Sequence, residues 1–145
     1  MAILCVDDYE PYLHWVVGTL EAAGYRVFAT SDPCHGLLIA TTGNDVRLVI
    51  TDSFLPCMSG ERLAIEIRKY RPRMPIVLLT LTDEDITRGV CDLYLRKGVE
   101  CSAELLVQVA DLLGSREAHH GRTDRTRKNS GRIESLPKAG CEALR

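Results

Sequence analysis

Five short apolar runs recur along the chain, and each pair is separated by a longer stretch with helical spacing or a turn signal. The runs are Ala2–Val6, Tyr25–Ala29, Leu48–Thr51, Ile76–Leu79 and Asp92–Arg96. The first, third and fourth are almost continuous in apolar residues, the pattern of strands buried on both faces in the middle of a parallel sheet. The second and fifth mix in Arg26, Asp92 and Arg96 and read as edges. Three interior strands and two edges fit the order 2-1-3-4-5 of a flavodoxin-like doubly wound sheet, an α/β fold with helices on both faces.

The intervening segments supply the helices. Residues 10–23 place Leu13, Val16, Val17 and Leu20 on one stripe, and Gly24 closes the element. Ser31-Asp32-Pro33 is a start signal, a capping side chain followed by proline in the first turn. Residues 60–70 set Leu63, Ile65 and Ile67 among charges, and Pro72 and Pro75 stop them. Ser102 is expected to cap a last helix with Leu105, Leu106, Val109, Leu112 and Leu113 inward, ended by Gly114. The fourth crossover is unusual. Only residues 80–91 join the last two strands, at the lower limit for a parallel connection, and the helix there, near Asp83 to Arg88, has room for one or two turns.

Charge divides the chain. Residues 1–114 hold ten Lys and Arg against sixteen Asp and Glu, whereas residues 115–145 hold eight against four. The expectation is one domain over 1–114 and a basic, disordered tail over 115–145, too poor in apolar residues to offset its ordering entropy. With 46% apolar and 26% charged residues the whole is ordinary for a globular protein. No apolar run approaches the roughly 20 residues that cross a bilayer, and the apolar start meets Asp7 and Asp8 without a basic leader. A cytoplasmic chain without membrane insertion is expected, with its six cysteines reduced and Cys5 acting as a small hydrophobe.

In an open parallel sheet ligands bind beyond the carboxyl ends of the strands. Those ends carry Asp7 and Asp8, Asp52, Thr80 and Lys97. Clustered carboxylates raise one another's pKa unless a cation is near, and Mg2+ is the hard, oxygen-seeking cation that suits them. A carboxylate beside Mg2+ can attack phosphorus and form an aspartyl phosphate. Lys97 would balance the added charge, and Thr80 would donate a hydrogen bond to a phosphoryl oxygen. Singly, each residue has an ordinary use: Asp7 and Asp8 as helix caps, Thr80 as a strand-end hydroxyl, Lys97 in solvent, Tyr94 as an edge-strand aromatic.

The set Val6-Asp7-Asp8, Asp52-Ser53-Phe54-Leu55-Pro56-Cys57-Met58-Ser59-Gly60, Leu79-Thr80 and Tyr94-Leu95-Arg96-Lys97 resembles the receiver domain of two-component response regulators over about residues 2–114. The resemblance implies a phosphoprotein of phosphorelay signal transduction, with Asp52 as the acceptor from a sensor histidine kinase or phosphotransferase. It implies Mg2+ held by Asp8, by Asp7 through water, by Asp52 and by the backbone carbonyl of Phe54. Thr80 and Tyr94 take the switch positions and Lys97 the phosphate-pairing position. Output would be binding of an unidentified downstream protein or relay of the phosphoryl group, without an output domain of its own and with catalysis confined to its own phosphorylation and dephosphorylation. The resemblance also allows a homodimer.

Two departures stand out. Gly98 replaces the proline the family usually has after the lysine, which loosens the turn carrying Lys97. Phe54 sets a large apolar side chain near the acceptor, where it is expected to limit water and lengthen the life of the phosphate. Three other readings remain. A pseudo-receiver would bind partners constitutively. A phosphatase with an aspartate nucleophile would want an acid where Phe54 stands. A nucleic-acid binder would use Arg122, Arg125, Arg127, Lys128 and Arg132 of the tail, although without aromatic residues for stacking that contact would be weak. Trp15 lies off the apolar stripe of its helix, either packed at the flank or exposed for docking, and His119-His120 is a solvated pair in this reading.

Overall fold

The computed structural model describes residues 1–82, 89–98 and 101–120. Its five strands, β1 Ala2–Val6, β2 Arg26–Thr30, β3 Val46–Asp52, β4 Ile76–Thr80 and β5 Leu93–Arg96, form one sheet in the order β2-β1-β3-β4-β5. Every pairing is parallel. The flavodoxin-like arrangement read from the apolar runs is therefore the observed fold. β1 and β4 are buried along their whole length and β3 along all but Arg47, whereas β2 and β5 at the edges are partly open.

Side-chain alternation splits the core into two layers. Ile3 and Cys5 of β1, Leu48 and Ile50 of β3, and Val77 and Leu79 of β4 pack with helices α1 (Glu10–Ala22) and α4 (Cys101–His120). Leu4, Val6, Val49, Ile76 and Leu78 pack with α2 (Pro33–Thr42) and α3 (Gly60–Tyr70). Each Leu or Ile so enclosed contributes about 1.5–3 kcal/mol over its exposed state, which fixes strand register because a one-residue slip would exchange the layers. That register aligns the strand ends: Val6 lies beside Thr30 and Thr51, Asp52 beside Leu79, and Thr80 beside Arg96. Residues directly after β1, β4 and β5 thus meet the end of β3 along one edge.

Local signals account for the helix ends. Asp32 caps α2 by accepting from the Cys34 N–H at 2.8 Å, and Ser59 caps α3 by accepting from Arg62 at 3.1 Å. Gly24 takes φ +91° after α1, a left-handed conformation that glycine adopts without a Cβ penalty. In α3 the buried face is Leu63, Ala64 and Ile67, while Ile65 points outward. Helix α4 departs from expectation at both ends. It begins at Cys101, so Ser102 lies inside the first turn, and it runs through Gly114 to His120. A glycine interrupts a helix only when it takes a non-helical conformation; otherwise it costs about 1 kcal/mol. The Ser115 hydroxyl, donating to the Asp111 carbonyl at 2.6 Å, spans the position.

The short fourth crossover is pinned where it re-enters the sheet. Asp92 Oδ2 accepts from the Ile76 N–H at 2.8 Å and from Arg68 at 2.6 Å, and the Asp92 N–H donates to the Ile76 carbonyl at 2.9 Å. Cys91 is buried beside them, its thiol pushed up to about 12 mainly by that burial. The helix expected at residues 83–88 lies outside the described residues, as does the expected tail of 115–145 beyond His120; its first residues, 115–120, are the end of α4 rather than disordered chain. Cys5 and Cys91 are free thiols in the interior, and Cys34 and Cys57 are free thiols at the surface. No described helix is long and apolar enough to cross a membrane.

Candidate functional site

Asp7 leaves β1 fully buried, and its two oxygens have separate tasks. Oδ1 accepts from the Tyr9 N–H at 2.9 Å, which starts α1, and Oδ2 faces the Lys97 ammonium at 2.7 Å. Asp52 ends β3, also buried, with Oδ1 3.0 Å from the same ammonium. Asp8 is exposed at the rim. Carboxylate oxygens of Asp7, Asp8 and Asp52 lie within 4.8 Å of one another. Sequence reasoning named these four residues from three distant segments, and the sheet edge brings them together.

The electrostatics follow from burial. Removing Asp52 from water pushes its carboxyl above the usual value, and the negative charge of Asp7 adds to that; the hydrogen bond and charge of Lys97 pull it back down. Lys97 is itself only 8% exposed along its side chain. A buried cation shared between two carboxylates is held because either charge alone would be costly there. Its backbone is tied as well, through the Lys97 N–H to the Thr80 carbonyl at 2.8 Å.

The donor set suits a small hard cation. Three carboxylates this close could share one ion, and Asp8 is open to solvent on one side of them. Mg2+ normally keeps waters and takes only one or two carboxylates directly from a protein, so these three acids offer it enough oxygens, one of them through water, and the exposed side at Asp8 leaves room for the waters.

Thr80 and Tyr94 are engaged elsewhere. The buried Thr80 hydroxyl donates to the Thr82 carbonyl at 2.7 Å and accepts from the Thr82 N–H at 3.2 Å. Tyr94, half-buried, accepts from the Cys91 N–H at 3.1 Å through its hydroxyl. Phe54 is 58% exposed, beyond Asp52 in the loop that leads to α3. In the same loop Cys57 adopts φ +70°, a left-handed conformation uncommon for a residue with a Cβ.

One neighbour was not legible as part of the site. The Lys97 ammonium lies 4.5 Å from the centroid of the Tyr12 ring, and Tyr12 in turn packs on Trp15 with ring centroids 5.2 Å apart. Trp15, expected either at the helix flank or open for docking, is partly buried against the α1 and α4 core layer. The signal for Tyr12 was its place in the first turn of α1, soon after the acidic pair, but an aromatic there reads first as core.

The doubly wound parallel sheet with three acids and a lysine gathered at its carboxyl edge makes this an α/β domain with an acidic site at the strand ends, and known proteins resemble it. The family model described as response regulator receiver domain matches residues 3–95, so the chain belongs to that family. Transcriptional regulatory protein HprR of Escherichia coli is 32% identical over 141 residues, 94% of this chain and 60% of that protein. Alkaline phosphatase synthesis transcriptional regulatory protein PhoP of Bacillus subtilis is 33% identical over 86 residues, 59% of this chain and 35% of that protein. The chain therefore spans no more than about 60% of the length of these relatives. Among solved structures, response regulator TrrA from Thermotoga maritima, in complex with Mg2+ and BeF, matches with a TM-score of 0.72 and 32% identity over 78% of this chain and all of that one. A receiver domain protein from Clostridium thermocellum gives 0.73 and 28% over 82% and 99%.

Proposed function

We propose that the chain is a phosphorylation-controlled signalling switch whose acceptor is Asp52. An Asp52 carboxylate oxygen would attack the phosphorus of a phosphohistidine on a sensor kinase or phosphotransferase. A new O–P bond forms, the P–N bond breaks, and the imidazole leaves with its electron pair and takes up a proton. Water reverses the modification by attacking the same phosphorus and releasing inorganic phosphate. Asp7, Asp8, Asp52 and the Phe54 carbonyl would hold Mg2+, which when bound offsets charge on the phosphoryl oxygens. The observation that carries this reading is the Lys97 ammonium bridging Asp7 and Asp52 in a cluster of three acids.

The chain's own residues do the rest. Lys97 pairs with the new phosphoryl group in place of the ionised Asp52. Thr80 gives up its bonds to Thr82 and turns toward the phosphate, and Tyr94 gives up Cys91 to fill the space behind it. Phosphorylation adds charge and strong acceptors, and a differential contact of a few kcal/mol suffices to shift such an equilibrium. The changed surface around β5 then binds a downstream protein, or the phosphoryl group passes on. The setting is cytoplasmic, with the basic segment after the domain as an accessory.

Intact-mass spectrometry after incubation with Mg2+ and acetyl phosphate tests the reading, with Asp52→Asn alongside. Wild type gains one phosphoryl group and the variant none. A wild type that gains nothing and binds no Mg2+ is a pseudo-receiver, and its partners must then be constitutive.

A further inference from the structure

Lys97 sits before Gly98, and a side-chain carbon built on Gly98 would meet nothing within 4 Å. Gly98 thus brings neither the stiffness of a proline nor a side chain that packs. The ammonium is nevertheless placed closely, 2.7 Å from Asp7 and 3.0 Å from Asp52, with its side chain shielded from water. The restraint comes from the opposite side. We propose that Tyr12 is a positioning residue for phosphoryl transfer, its ring, backed by Trp15, forming the platform that holds the Lys97 ammonium at the sheet edge.

A cation within about 6 Å of an aromatic centroid is attracted by the negative face of the ring, most strongly when both are desolvated, and the 4.5 Å separation meets that condition. The platform is rigid. Tyr12 lies in the first turn of α1, its N–H donating to the Tyr9 carbonyl at 3.1 Å, and its ring packs on Trp15, which joins the core layer. It is also independent of phosphorylation. When Asp52 becomes an acyl phosphate its share in holding Lys97 changes, and Asp7 would divide its charge between Lys97 and Mg2+ when that is bound. The ring keeps the same attraction in both states, so the ammonium stays where the phosphoryl oxygens arrive.

This inference rests on the phosphoacceptor reading for its consequence, but not for its geometry, and two measurements separate them. The chain has four lysines, Lys69, Lys97, Lys128 and Lys138, so the lysine ε-methylene region of a 1H–13C spectrum is simple, and Lys97→Arg identifies the Lys97 signal. A ring current moves that signal upfield of the other three in wild type and in Tyr12→Phe, and it joins them in Tyr12→Leu. In the same proteins, the rate of phosphorylation by acetyl phosphate with Mg2+ falls roughly thirtyfold in Tyr12→Leu, because loss of a desolvated cation–π contact makes the placed ammonium a minor conformer of Lys97, and is restored in Tyr12→Phe. Tyr12→Met serves if the leucine variant melts early. A Lys97 signal that does not respond to loss of the ring overturns the inference, as does an unchanged rate in Tyr12→Leu while wild type is phosphorylated. A wild type that takes no phosphoryl group fails the functional reading instead, and the methylene signal still decides whether Tyr12 holds Lys97.

Discussion

Gly60 stands against the backbone carbonyl of Asp52 so closely that a side-chain carbon at that position would overlap the oxygen, and it would also lie 2.8 Å from Leu78 Cδ1. The contact exists because the Gly60 N–H donates to the Ser53 carbonyl at 3.0 Å, which draws the start of α3 onto the end of β3. Backbone and buried leucine cannot both retreat, so Gly60→Ala forces the Asp52 loop outward. Overpacking of this kind costs about 1–3 kcal/mol, occasionally more. Urea unfolding is expected to show that loss. Phosphorylation by acetyl phosphate is expected to fall under conditions where the variant is still folded, because Asp52, the proposed acceptor, moves away from Lys97.

Burial raises the Asp52 carboxyl above its ordinary value despite Lys97, and this gives stability a pH dependence of known sign. Between the unfolded value near 3.9 and the raised folded value, the folded chain binds the additional proton, so stability falls as pH rises. Above that window the penalty is complete and constant. Asp52→Asn carries no such group. Its melting temperature, measured with EDTA, is expected to match that of wild type near pH 3 and to exceed it at pH 7. Adding Mg2+ at pH 7 narrows the gap, since a cation that binds the folded form stabilises it. A gap that did not change with pH would mean that Lys97 fully compensates the burial.

The fold was legible because burial on both faces leaves an unmistakable pattern in runs such as Ile3-Leu4-Cys5-Val6 and Ile76-Val77-Leu78-Leu79, which coincide with β1 and β4. The acid cluster was legible because a parallel sheet sends every strand end to one edge, so the residues after Val6, Thr51 and Arg96 had to meet. Helix ends were less so. Gly114 has the same composition signal as Gly24, yet only Gly24 turns left-handed. The residue after each glycine makes the difference: Tyr25 closes the turn with its N–H on the Leu20 carbonyl, packs on the core layer and leads into β2, whereas the Ser115 hydroxyl bonds back to Asp111 and the helix continues. The pin at Asp92 and the platform at Tyr12 were not legible, because each joins residues far apart in sequence through a side chain with a commoner use.

The hydrogen bonds of Thr80 to Thr82 oppose its turning toward Asp52. Thr82 is exposed, so water can replace the lost partner and Thr80→Ala is expected to cost only about 0.5–1 kcal/mol. The functional consequence is larger. With Mg2+ and beryllofluoride as the phosphoryl mimic, wild type and Thr80→Ser are expected to show amide shifts that reach Tyr94. In Thr80→Ala the shifts stop near Asp52. Shifts at Tyr94 in the alanine variant would show that the strand-five edge responds without the hydroxyl.

Phe54 lies two residues beyond Asp52 and is 58% exposed, so its ring is at the surface rather than in the core. Burial therefore does not require it, and its replacement leaves the fold unaffected within the usual ±0.5 kcal/mol, about the size of an ordinary surface change. An apolar ring offers an approaching water no hydrogen bond. An amide in the same place can orient that water toward phosphorus, the positioning that general acid–base groups exploit. Phe54→Asn is accordingly expected to lose its phosphoryl group faster than wild type, by less than the roughly hundredfold of a true general base, followed by intact mass after the phosphodonor is removed, and Phe54→Leu to remain near the wild-type rate. Equal rates in all three proteins would place the barrier to hydrolysis elsewhere, in the grip of Lys97 on the phosphoryl oxygens.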